Sequence, residues 1–138
     1  MKKLNGKQII IIVAAAVLFT AATVFVYLKH LRLEMTAEAG AVAGMVISGQ
    51  QEYFSVYGEF IALEENSKSE ALGISLESNK YFTLMRIEVM ENTAVLYAVC
   101  QKGFFEGTEL YVKYDRFKGV TDYKITEKTK IPLLRSSL

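Results

Sequence analysis

The sequence predicts an α+β fold, a long amino-terminal helix packed on a small antiparallel sheet, on three observations. An uncharged apolar run extends from Ile9 to Leu28, helical periodicity continues past it from Met35 to Val56, and every strand-like segment lies after Gly58. One helix first and all strands afterwards is the order in which a helix stripe and a sheet face can cover each other.

The stretch "QIIIIVAAAVLFTAATVFVYL" carries no charge from Gln8 to Leu28. Some twenty apolar residues at about 1.5 Å rise each cross a hydrocarbon core of about 30 Å. Lys2, Lys3 and Lys7 precede the run, and Lys29, His30 and Arg32 follow it. Basic residues on both sides leave the orientation to length, and a short tail is the easier side to leave in the cytoplasm. The expected organisation is a cytoplasmic tail over residues 1–7, the membrane-spanning part of the helix over 8–30, and one extracytoplasmic domain over 31–138. A cleaved signal peptide is the rival reading, because "TAAT" offers small residues after the apolar run.

The 138 residues, 22% of them charged, leave room for a single folded domain beside the membrane segment. Up to His30 there are four Lys and no acid; five basic and twelve acidic residues follow to Leu110; then come seven basic against three acidic. Basic charge is neither abundant nor grouped with stacking aromatics, which argues against a nucleic-acid surface. Catalysis finds no foothold either. His30 is the sole histidine, at the bilayer boundary, and Cys100 sits in the apolar "YAVCQK", read as a buried small hydrophobe that cannot close an intrachain disulfide. Phosphate-loop and dinucleotide glycine patterns are absent. No enzyme, cofactor, metal or small-molecule substrate is therefore expected.

Beyond the membrane run, Met35, Ala39, Val42, Val46, Gly49, Tyr53 and Val56 recur at steps of three or four, one stripe of a helix that must pack on something. The opposite side holds Ala37, Gly40, Ala41, Gly44, Ser48 and Gln51, small or uncharged throughout, with Glu34, Glu38 and Glu52 on a flank. A mid-helix glycine costs about 1 kcal/mol relative to alanine. Either the small face is merely tolerated in water, or it admits the close approach of a neighbouring helix. Ala37, Gly40, Ala41, Gly44 and Ser48 are on the second reading an assembly face.

Tyr57-Gly58 ends the helix with a residue suited to the left-handed conformation, and "EENSKSE" reads as loop. Strands are expected in "KYFTLMRIEVM", "TAVLYAVCQ", "TELYVKYD" and "VTDYKI", the first two joined by a turn at Glu91-Asn92. Alternation sets Leu110, Val112 and Tyr114 on the buried face against Glu109, Tyr111 and Lys113, and the near-continuous apolar run from Ala94 to Cys100 marks a central strand. In "KGFFEG", Phe104 and Phe105 either fold back onto the sheet edge or form an aromatic contact for a partner.

With these residues in place, "EAGAVAGMVISGQQEYFSVYGEF" leading to "LGISLESNKYFTL" resembles the type IV pilins and the pseudopilins of type II secretion. The matching residues are Gln50, Gln51, Tyr53, Phe54, Tyr57, Gly58 and Phe60, then Leu72, Gly73, Asn79, Lys80, Tyr81 and Phe82, and the likeness covers roughly residues 8 to 100. It implies a pilin-like fold and a structural subunit whose partners are the membrane and, through the N-terminal helix, copies of itself or other pilin-like subunits. The family's processing signal, glycine then Phe-Thr-Leu-x-Glu, is not kept: Gly6 is followed by Lys7 where Phe belongs, and Ile11 takes the glutamate's place. The resemblance thus implies a divergent, unprocessed member. The alternative is a non-polymerising single-pass accessory protein of a secretion or envelope complex. Some pseudopilins are implied to bind calcium in their last loops, where this chain has only Asp115 and Asp122, too few for six to eight oxygen ligands. Protein recovered from membranes is expected to retain its first six residues. Intact mass checks this, and a species beginning at Lys7 would overturn it.

Overall fold

The structure, a computed structural model, describes residues 5–76 and 79–130. The first four residues of the expected tail and residues 131–138 of the domain lie outside the described residues. The chain divides between Glu34 and Met35 into two compact units, four residues beyond the expected boundary.

Helix α1 runs from Gly6 to Tyr57, 52 residues without interruption. It starts at a reciprocal cap: the Gln8 amide N–H donates to Asn5 Oδ1 at 2.9 Å, and the Asn5 N–H donates to Gln8 Oε1 at 3.0 Å. In the apolar part, the Thr20 and Thr23 hydroxyls donate to the carbonyls of Ala16 and Phe19 at 2.9 Å. Their polarity is consumed inside the helix, so the outer surface of this part stays apolar. The helix ends as expected, with Gly58 at φ +76° and its N–H donating to the Phe54 carbonyl at 2.9 Å.

The expected meander is present. β3 (Leu84–Met90), β4 (Thr93–Val99), β5 (Glu109–Asp115) and β6 (Gly119–Thr126) pair antiparallel in the order β3-β4-β5-β6, with β4 and β5 central. Ahead of the strand expected from Lys80, β1 (Lys68–Ser69), inside the expected loop 64–70, and β2 (Ile74–Ser75) form a separate two-stranded ladder. The strand expected from Lys80 begins only at Leu84. Its would-be first residues are held by the helix instead, since Glu38 Oε1 accepts the amides of Tyr81 at 2.9 Å and Phe82 at 3.0 Å. The outer edge of β3 is closed by the same loop: Leu63 exchanges backbone hydrogen bonds with Ile87 at 3.0 and 2.9 Å, and the Asn66 side chain binds the Thr83 carbonyl and the Met85 amide. This removes one edge on which another chain could pair.

The core of the domain lies between α1 and one face of the sheet. Met35, Ala39, Val42 and Val46 are buried with Met85, Ile87, Leu96, Ala98, Leu110 and Val112, the alternation expected for β5. The stripe fails at its end, where Tyr53 is half-buried and Val56 is 68% exposed. Its strict seven-residue spacing drifts by about 20° per heptad on a straight helix, so by the third heptad the stripe has turned off the sheet. Ala43 and Gln50 replace it in the core. Phe60 returns beyond the helix end and stacks edge-on with Phe54 at 5.0 Å and Tyr114 at 5.8 Å.

Candidate assembly surface

Each of the two units carries one exposed stretch of α1. In the first unit, from Ile9 to Tyr27, the side chains are exposed throughout, Ile10 at 70%, Leu18 at 71% and Phe19 at 76%. So much bare aliphatic and aromatic surface is unstable in water. The segment is long and apolar enough to cross a membrane. At its end, His30 Nε2 lies 3.0 Å from Glu34 Oε1, one turn on, so the only histidine is occupied by a local pair.

In the second unit, Ala37, Gly40, Ala41, Gly44 and Ser48 are all exposed, on the side away from the buried arc. A Cβ added at Gly40 or Gly44 would meet nothing within 4 Å, so nothing in this chain requires glycine at either position. Gly49 is the contrast. A Cβ there would lie 3.2 Å from the Leu72 carbonyl oxygen and 3.3 Å from Ile74 Cγ2, so Gly49 lets the β1–β2 ladder approach the helix. Gln51, on the same small face, is tied back to the domain, its Nε2 donating to the Tyr114 hydroxyl at 2.8 Å.

The loop aromatics divide. Phe105 is 1% exposed and packs edge-on with Tyr81 at 6.1 Å, so of the two alternatives it takes the inward one and is not available as a partner contact, the glycine-flanked loop turning it into the core. Phe104 is half-buried and stacks against Phe105 at 5.1 Å, so only part of one ring remains accessible. The loop is pinned by the Gly107 and Cys100 amides, bonded to the Cys100 and Thr108 carbonyls at 2.7 and 2.9 Å.

The structural roles of several polar side chains, Gln50 and Glu38 among them, were not read from sequence. The Gln50 side chain, fully buried, accepts the Ile61 amide at 3.0 Å and donates to the Ile61 carbonyl at 2.6 Å, clamping the chain as it leaves the helix. Glu38 and Asn66 do the same work at the start of β3. A Gln or Glu in a helical stretch gives no sign of a distant backbone partner, so no sequence signal marks them. Burial pushes the Cys100 thiol above its usual pKa, the opposite of what a nucleophile needs. Asp115 is held below the usual carboxylate range by the Phe117 and Lys118 amides, which donate to Oδ1 at 2.8 and 3.1 Å, so it organises its own turn. Among the described residues, no three His, Cys, Asp or Glu side chains converge as metal ligands. Compared with protein-family models, with curated proteins and with solved structures, the chain gives no match.

Proposed function

We propose that the chain is a structural subunit of a type IV pilus-like or pseudopilus filament, a minor and unprocessed pilin-like protein. Its helix anchors it in the membrane with the amino terminus inside and the domain outside. The observation that carries this reading is the small face of α1: exposed, free of charge at Ala37, Gly40, Ala41, Gly44 and Ser48, and with two glycines that no contact within the chain requires. Small residues let two helices approach backbone to backbone, so the small face, beyond the membrane segment, supports side-by-side packing of α1 with a neighbouring subunit. A second reading, a single-pass accessory protein that does not polymerise, is favoured by Lys7 and Ile11 in place of the processing phenylalanine and the buried glutamate.

Gly44→Leu separates the two. The domain is expected to keep or gain stability, by up to about 1 kcal/mol, because a mid-helix glycine gives way to a better helix former in open space. Assembly of the full-length protein, followed by crosslinking in membranes and by microscopy of sheared surface material, is expected to be lost. Wild-type assembly by Gly44→Leu, with crosslinks only to unlike partners, would leave the accessory reading in possession.

A further inference from the structure

The face of the sheet turned away from α1 holds an arrangement that the assembly reading does not use. The strand registers align Arg86, Tyr97, Tyr111 and Lys124 in one row across all four strands. The two tyrosine rings meet edge to face at 5.3 Å, and the Arg86 guanidinium stacks over Tyr97 at 4.8 Å. Arg86 is held there from the side by Glu88, Nε to Oε1 at 3.1 Å. The neighbouring row carries Leu84, Val99, Glu109 and Thr126. Between the rows lies a depression of about 280 Å³ whose lining includes Arg86, Tyr97, Val99, Glu109, Tyr111 and Thr126. Among the described residues, the Glu109 carboxylate and the Thr126 hydroxyl make no hydrogen bond or ion pair. The site thus presents an aromatic pair, an ordered donor and unengaged acceptors side by side.

We infer that this depression binds one ring of a neutral oligosaccharide, its C–H face against Tyr111 and its hydroxyls between Glu109, Thr126 and Arg86. The aromatic face is electron-rich and attracts polarised C–H groups. A hydroxyl both donates and accepts, so one sugar hydroxyl pair can satisfy a carboxylate and a guanidinium together. Competing ligand classes fit less well. A quaternary ammonium against either ring would meet the positive guanidinium of Arg86, which already occupies the Tyr97 face. A phosphate or nucleic-acid strand would meet the carboxylates of Glu88 and Glu109, which balance the charges of Arg86 and Lys124 and leave no net positive charge to attract it. The volume lies at the lower limit of the ~300–1,000 Å³ of pockets for drug-sized ligands, as suits one ring of a chain that runs on across the sheet. The site does not depend on the assembly reading, because it lies on the sheet face opposite the helix.

The test is a saturation-transfer NMR titration of the full-length protein in lipid nanodiscs, which avoids sugar-based detergent, with chitotetraose and maltotetraose as neutral probes. An octathymidylate and a sulfated tetrasaccharide serve as anionic competitors. At least one neutral probe is expected to bind with a Kd on the order of 1 mM, as befits a one-ring site. Tyr111→Ala is expected to weaken it about tenfold, and Glu109→Gln, an exposed and isosteric change that leaves the fold intact, about fivefold. Affinity is expected to stay level as salt rises, since no net charge is neutralised. No binding of either neutral probe up to about 10 mM, wild-type affinity in Glu109→Gln, or tighter binding of an anionic probe would each overturn the proposal.

Discussion

Val46→Asp is expected to unfold the domain. Val46 is 3% exposed in the middle of the helix face that packs on the sheet, with Ala94, Leu96, Val112 and Tyr114 around it. An aspartate there either stays ionised with no partner or takes up a proton and loses its solvation. Each route costs several kcal/mol, on top of the lost transfer energy of the valine side chain, roughly 1.5 kcal/mol or more. A domain of about 100 residues has a total stability of about 5–15 kcal/mol, so the substitution consumes most of it. Circular dichroism and thermal melting of residues 32–138 check this. A cooperative melt within about 5 °C of wild type would show that the helix packs through a different face. Gly40→Leu on the exposed side is the matched control, and it is expected to melt at or above the wild-type temperature.

The second large effect is expected at Gln50. Its amide binds both the N–H and the carbonyl of Ile61, at 3.0 and 2.6 Å, and the residue has no exposed surface. Gln50→Leu keeps the volume and leaves two part-buried backbone groups without their partner, each costing up to about 1–3 kcal/mol. The loss goes beyond stability. The same clamp positions Phe60 for its contacts with Phe54 and Tyr114, and the following segment supplies the Leu63 bridge that closes the edge of β3. Amide hydrogen exchange at Leu63 and Ile87 is therefore expected to rise with the fall in melting temperature, as the edge opens together with the clamp. Unchanged protection at both amides, with a melting temperature within about 2 °C of wild type, would show that the loop is held by its apolar contacts alone.

The two variants probe the parts of the molecule that were, respectively, plain and hidden in the sequence. By itself the sequence determined the apolar segment, the helix that continues from it, the glycine that stops that helix and the four strands in order, because each is written in a local period or a local conformational demand. Twenty uncharged apolar residues need no context to be read as membrane-compatible, and Gly58 at φ +76° adopts the conformation its position announces. The inward alternation of Leu110, Val112 and Tyr114 is equally local, and it holds. The exposure of Gly40, Ala41 and Gly44 followed from the same periodicity, one helix side being opposite the other.

Tertiary structure alone decided the loop between helix and sheet, the fate of the stripe beyond Gly49, and the division of the two loop phenylalanines. Pairing of Lys68–Ser69 with Ile74–Ser75 depends on neither segment's propensity but on a glycine in the helix that leaves space for it. Glu38 resembles the surface glutamates beside it until the Tyr81 and Phe82 amides arrive across some forty residues of chain, and they reset where β3 begins. Phe104 and Phe105 are adjacent and chemically identical, yet only Phe105 meets Tyr81 and the core. In the same way the row from Arg86 to Lys124 is assembled from four strands by register, one residue from each. Local periodicity states which side of an element is apolar; which distant group meets a given side chain depends on how the elements are brought together, and no short stretch of chain contains that information.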